Sequence, residues 1–163
     1  MSPTGQGATL MPESDSDTGA VAVLVVLAGD EAYGFALSSV REILVPPPLT
    51  EVPRAPQHVL GVITVRGQII TVIDLPKMLH LEAEQNDPFE RILLVDSGEE
   101  LIGIAVDHVI QVYRMEPDQI EYASAMSAEF PEYVVGVGRV PSDSSTEAED
   151  MFILIDLVSL LGE

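Results

Sequence analysis

Leu60-Gly-Val-Ile-Thr-Val-Arg66-Gly-Gln-Ile-Ile-Thr-Val-Ile-Asp74-Leu-Pro-Lys-Met-Leu-His-Leu81 sets two β-branched runs on either side of a single cation. Val62 to Val65 and Ile69 to Ile73 are short and rich in Val, Ile and Thr, and Arg66 is the only charge between Leu60 and Ile73. Side chains branched at Cβ suit a pleated, half-buried surface. The runs are therefore expected as an antiparallel hairpin turning at Arg66-Gly67-Gln68, with Gly67 supplying the positive φ. Apolar residues occupy both pleat faces, so the hairpin needs a packed layer on each side. Asp74 then caps a short helix that tolerates Pro76 in its first turn and keeps Leu75, Met78 and Leu79 to one side.

Upstream of this stretch, Val21 to Ala28 reads as a strand, Gly29-Asp30-Glu31 as a turn and Tyr33 to Leu37 as the return strand. Val40 to Val45 fits one helical turn by the spacing of Val40, Ile43 and Leu44, and fits a strand by its β-branched content. Pro46, Pro47, Pro48, Pro53 and Pro56 forbid helix and central strand alike, so that segment is an extended connector. Downstream, the acidic Glu82 to Glu90 leads into a second set of strands that repeats the first. Gly34-Phe-Ala-Leu with Val40 and Ile43 is matched at one offset by Gly103-Ile-Ala-Val with Val109 and Val112. Leu60-Gly61-Val62 is echoed by Val135-Gly136-Val137, and Val72-Ile-Asp-Leu75 with Leu79 by Leu154-Ile-Asp-Leu157 with Leu161. Short strands ending twice in a capped helix predict a mainly β chain of two tandem, small, five-stranded barrels. Subdomain 1 spans about 20–82 and subdomain 2 about 90–163. A barrel this small buries too little surface alone, so one strand face fills each barrel and the other lines the contact. Residues 1–19 are expected as a flexible acidic tail and Ser142 to Asp150 as a mobile acidic loop.

Composition narrows the function. Lys and Arg number 7 against 27 Asp and Glu, a net charge of −20 that repels nucleic acid and anionic lipid and favours partners with basic patches. Cysteine is absent, which removes thiolate catalysis and Cys-based zinc sites and fits a reducing compartment. The N-terminus lacks the basic and apolar regions of a signal peptide, and the apolar run Ala20 to Ala28 is far short of the ~20 residues of a membrane helix. A cytoplasmic protein without membrane insertion is the expectation.

Catalytic constellations are scarce. There is no nucleophile elbow and no phosphate loop, and Lys77 is the only lysine. Gly136-Val-Gly138 lacks the third glycine of a dinucleotide site, and Asp15-Ser-Asp17-Thr-Gly19 has the wrong spacing for a calcium loop. His58, His80 and His108 stand singly beside apolar runs, as boundary residues rather than ligands or bases. No cofactor, metal or enzymatic activity is expected; the pattern is that of a docking module. Arg66 has two readings: a surface turn residue paired with a nearby carboxylate, or a cation aimed at a partner's carboxylate through bidentate hydrogen bonds. Glu42 is open between a solvated face, a recognition carboxylate and an intramolecular mate for Arg66.

Six segments resemble, in order and spacing, the CheW-like domain of bacterial chemotaxis coupling proteins. They are Gly29-Asp-Glu-Ala-Tyr-Gly34, Val40-Arg-Glu-Ile43, Val52-Pro-Arg-Ala-Pro56, Gly61-Val-Ile-Thr-Val-Arg-Gly67, Val72-Ile-Asp-Leu75 and Gly103-Ile-Ala-Val-Asp-His-Val109. The resemblance runs from about Val21 to Leu161. It implies two SH3-like barrels and a non-catalytic scaffold that links the regulatory domain of a CheA-type histidine kinase to the cytoplasmic helical-hairpin tip of chemoreceptors. Carried over position by position, it puts Val40, Glu42, Ile43, Arg66, Ile102 and Val109 at the receptor contact. It puts Val45, Leu49, Val52, Gly61, Arg66 and Gly67 at the kinase contact. Thr64 stands where the family commonly has asparagine, and Thr71 where it commonly has proline. A CheW-like scaffold for another output, such as surface motility, and a small-molecule-binding β-barrel are the alternatives.

Overall fold

The computed structural model describes residues 19–81, 88–140 and 150–162. The expected acidic tail, most of the acidic linker after Leu81 and the loop from Ser142 lie outside the described residues. The strands are β1 (Val21–Ala28), β2 (Glu31–Ala36), β3 (Val40–Leu44), β4 (Val59–Val65), β5 (Gln68–Asp74), β6 (Arg91–Asp96), β7 (Leu101–Val106), β8 (His108–Met115), β9 (Ile120–Tyr122), β10 (Val134–Val140) and β11 (Asp150–Ile155). Two short helices, α1 (Leu75–Met78) and α2 (Leu157–Leu161), follow β5 and β11. The open choice at Val40 resolves as a strand, Val40–Leu44, preceded by a 3-10 turn at Leu37–Ser39. Pairing with β6, from Val40↔Val95 to Leu44↔Ile92, holds it extended.

The strands form two sheets, ordered β8-β1-β2-β11-β10-β9 and β3-β6-β7-β5-β4. This is the mainly β, tandem SH3-like architecture expected. The sheets do not follow the division at 82–90, however. Each contains the first hairpin of one repeat and the remaining strands of the other, so β1-β2 sits with β8 to β11, and β6-β7 sits with β3 to β5. The exchange is made by two parallel pairings in matching register. Gly34 of β2 lies opposite Leu154 of β11, and Gly103 of β7 opposite Val72 of β5. In chain terms the five-stranded sheet is contiguous, from Val40 to Val106, and is inserted between β2 and β8 of the six-stranded one.

Alternation along the strands divides the interior into three cores. Val23 and Val25 of β1 pack with Met115, Phe152 and Leu154 inside the first barrel, while Ile92 and Leu94 of β6 pack with Ile63, Ile70 and Val72 inside the second. The opposite faces, including Leu24, Val26, Phe35, Leu93, Val95 and Ile104, meet Leu75, Leu157 and Leu160 in one shared core. Burial on two faces is thus explained as the sequence pattern requires: one face per barrel, the other between barrels.

Both helices are capped as expected. Asp74 accepts the Lys77 backbone N–H at 3.0 Å, and Asp156 accepts that of Val158 at 3.1 Å. Asp74 is almost fully buried, and desolvation by that burial raises its pKa against the opposing effect of the Lys77 N–H.

Candidate functional site

The turn of the β4-β5 hairpin is tighter than Arg66-Gly67-Gln68 predicts. Gln68 already belongs to β5, Val65 pairs with Gln68, and both remaining residues are left-handed, Arg66 at φ 49° and Gly67 at φ 82°. Two consecutive positive φ values define the two-residue turn whose twist matches that of the flanking strands. Arginine is an uncommon residue for such a position, because its Cβ crowds the following carbonyl. The turn thereby fixes the direction in which Arg66 leaves the backbone.

That direction is across a seam. β3 and β4 are the outer strands of the five-stranded sheet, and the Arg66 guanidinium at the tip of β4-β5 reaches Glu42 on β3. Nη2 donates to Oε1 at 2.5 Å and Nη1 to Oε2 at 3.4 Å, a two-pronged contact. The hydrogen bond from Arg66, followed by its charge, holds the Glu42 carboxyl below the usual glutamate range and raises Arg66 in turn. The pair remains open to water, with the Arg66 side chain 70% exposed. Of the readings left open for Glu42, the intramolecular mate is the one observed.

The proline-rich connector between β3 and β4 follows the same seam. Thr50 bridges to Val62 through two backbone hydrogen bonds, 2.9 Å for Thr50 N–H to Val62 O and 2.8 Å for the reverse. Gly61 allows this approach: a side chain there would run into the Thr50 carbonyl, at a φ of 153° that disfavours one anyway. The connector carries Val45, Leu49 and Val52, which are 72, 38 and 43% exposed, and Ile43 on β3 is 40% exposed. β3 and the connector that follows it therefore carry four exposed aliphatic side chains, and β3 also carries the glutamate that pairs with Arg66.

The remaining candidates lie deeper. Val40 and Val109 are half-buried against the shared core. Ile102 is only 8% exposed and belongs to that core, in one row across the sheet with Val95 and Val40. Gly61 is buried and Gly67 exposed, with open space where its side chain would be. Val109 is held by an anchor that the sequence did not disclose. Its N–H donates to Glu90 Oε1 at 3.0 Å, and that bond, with the Arg91 and His108 charges, lowers the Glu90 pKa. Asp107, within the Gly103–Val109 segment, accepts the Gly29 N–H at 2.7 Å and so ties the β1-β2 turn to the end of β7. Side chains that pair across such sequence separations leave no local periodicity by which to find them. Among the described residues no group of three His, Asp or Glu side chains is placed to hold a metal, and no helix is long and apolar enough to cross a membrane.

Comparison with known proteins gives one consistent result. Residues 22–163 match the CheW-like domain family. The chain is 29% identical over 140 residues to chemotaxis protein CheW of Klebsiella aerogenes, covering 85% of this chain and 80% of that one. It is 30% identical over 87 residues to protein FrzA of Myxococcus xanthus, covering 53% of this chain and 54% of that one. The crystal structure of the scaffolding protein TtCheW from Thermoanaerobacter tengcongensis superposes with a TM-score of 0.72 at 27% identity, over 86% of this chain and 92% of that one.

Proposed function

Because this chain belongs to the CheW-like domain family, we propose that it is a cytoplasmic, non-catalytic coupling protein that bridges a CheA-type histidine kinase and the helical-hairpin tip of a chemoreceptor. The observation that supports this most directly is the stretch formed by β3 and the connector after it, where Ile43, Val45, Leu49 and Val52 are exposed and Glu42 is paired with Arg66. Exposed aliphatics beside an oriented, two-pronged cation make a surface that a partner can bury and orient on. In this reading the kinase docks on the connector side, through Val45, Leu49, Val52, Gly67 and Arg66, with Gly61 shaping the connector from beneath. The receptor hairpin docks along Val40, Glu42, Ile43, Arg66 and Val109, with Ile102 in the row that Val40 shares with Val95.

The test is reconstitution with a CheA-type kinase and chemoreceptor membranes. The expected result is co-purification with the kinase and receptor-dependent control of its autophosphorylation. A protein that neither binds the kinase nor alters its response to receptor defeats the proposal. Binding and control confined to a kinase of another output would assign the chain to a scaffold outside chemotaxis.

A further inference from the structure

A second surface lies away from the seam, at the junction of the two repeats. A cavity of about 270 Å³ opens between β2, the end of α1 and the segment entering β10. Its wall is apolar, with Tyr33, Leu79, Met126, Phe130, Tyr133 and Ile153 prominent, and none of the seam residues lines it. Phe130 stands 43% exposed at its mouth. The volume is below the ~300–1,000 Å³ usual for a cofactor or drug-sized ligand and suits an anchoring side chain better.

The pseudo-repeat supplies an internal control. The matching cavity in the other half has Ile102 where this one has Tyr33, Leu161 for Leu79, Ile73 for Ile155 and His58 for Tyr133. The backbone correspondence is close: the Asp74 N–H donates to the His58 carbonyl and the Asp156 N–H to the Tyr133 carbonyl, each at 2.8 Å. That counterpart is lined by Ser97, Glu99 and Glu100 as well as His58. The fold therefore tolerates polar walls at this place, and the apolar wall of half-buried Met126 and Tyr133 with exposed Phe130 belongs to one half alone.

Charge selects the occupant. Exposed Glu129 and Glu132 flank Phe130 and Pro131 in sequence, and Glu31 is near enough to Tyr33 to act on its hydroxyl. None of the 7 Lys and Arg residues lines the cavity. We propose that this cavity is a third docking site, one that takes a bulky aliphatic or aromatic side chain presented by a basic amphipathic segment of a partner protein. Apolar burial at Phe130 and Tyr133 would supply the anchor, and the exposed carboxylates that flank Phe130 and Pro131 in the chain the preference for Lys and Arg.

The experiment uses the full chain and a labelled synthetic peptide of about 15 residues, with Leu and Phe at i, i+4 and i+7 and Lys or Arg elsewhere. A second peptide keeps the apolar positions and replaces the cations with Glu. The basic peptide should bind, shift the backbone amide resonances of residues 126–134, and lose affinity tenfold or more in Phe130→Ala, an exposed position whose melting temperature should not move. Glu129→Lys combined with Glu132→Lys should weaken the basic peptide and strengthen the acidic one, while Arg66→Ala should leave both unchanged. Absence of binding, equal binding of the acidic peptide, shifts confined to other surfaces, or no effect of Phe130→Ala each overturns the proposal. Self-association abolished by Phe130→Ala also overturns it, in favour of a second copy of this chain. No readout involves the kinase or the receptor, so the site and the coupling function stand or fall separately.

Discussion

The β4-β5 and β10-β11 hairpins are the same piece of architecture built twice, with different contents. Both begin at a bulge beside a glycine, Gly61 or Gly136, whose missing side chain admits a neighbouring carbonyl, of Thr50 in one and Glu121 in the other. Both end in an aspartate that caps a short helix. Inside the barrel they diverge. Where the first pairs Ile63 with Ile70, the second pairs Gly138 with Phe152, and the Phe152 ring occupies the space that side chains at Gly138 and Gly34 would need. One pair of medium residues and one pair of small and large residues fill equivalent volumes, as close packing allows when the total is kept. At the tips, β4-β5 turns in two residues and aims Arg66 at Glu42, whereas Arg139 lies within β10 and faces Glu121 at 3.7 Å. The repeated features serve the fold, and the distinctive ones are where recognition is best sought.

Four measurements would break or sharpen that comparison. The largest effect is expected from Phe152→Ala, which empties the partner of two glycines and should cost about 3–5 kcal/mol in chemical denaturation. Because the sheets share strands from both repeats, the loss should appear as one cooperative transition; two separate transitions would show that the barrels are independent. Next, Gly61→Ala should cost about 1–3 kcal/mol, since its Cβ meets backbone that cannot turn aside. Gly67→Ala, with open space but a positive φ, should cost about 1 kcal/mol. Equal costs at the two glycines would remove the distinction between close approach and turn geometry.

The third measurement concerns Asp74, whose folded-state pKa lies above the ordinary 3.8 through burial. The folded chain binds that proton more tightly than the unfolded chain, so this contribution is complete below 3.8 and is lost as pH rises through the raised value. Asp74→Asn retains a capping oxygen and removes the titration. Its stability relative to the parent chain should therefore improve as pH climbs from the acid range toward neutrality; a difference that does not vary with pH would contradict this. The smallest stability effect is expected for Arg66→Ala and Arg139→Ala, exposed pairs whose loss should leave melting curves superimposed. Only the first should weaken partner binding, and equal losses of binding would erase the functional contrast between the hairpins.

Strand positions were legible because a pleated, two-sided core demands β-branched runs, and the runs at 21–28, 62–65 and 69–73 all lie within observed strands. The capping aspartates were legible for the same local reason. Val40–Leu44 was not decided by its own residues, since its extended form depends on β6, some fifty positions away. The hairpin exchange was invisible in principle: periodicity reports that Val72 and Gly103 are buried, not that they lie side by side. The candidate site was partly legible. Arg66 and Glu42 stand out as charges among apolar residues, but the left-handed backbone of Arg66 and the core position of Ile102 emerge only from packing.

The insertion of one sheet within the other has a consequence for how the chain is made. As the polypeptide leaves the ribosome, β1 and β2 emerge before the other strands, yet Val23 must wait for Tyr113 and Tyr33 for Ile153. The five-stranded sheet has all its strands by Val106, and it can close while the N-terminal hairpin is still without neighbours. The first-made hairpin of the two sheets is thus the last to be sheltered. Its uncovered edges, held open until β8 and β11 are synthesised, are where a chaperone would be needed and where premature release would lead to aggregation.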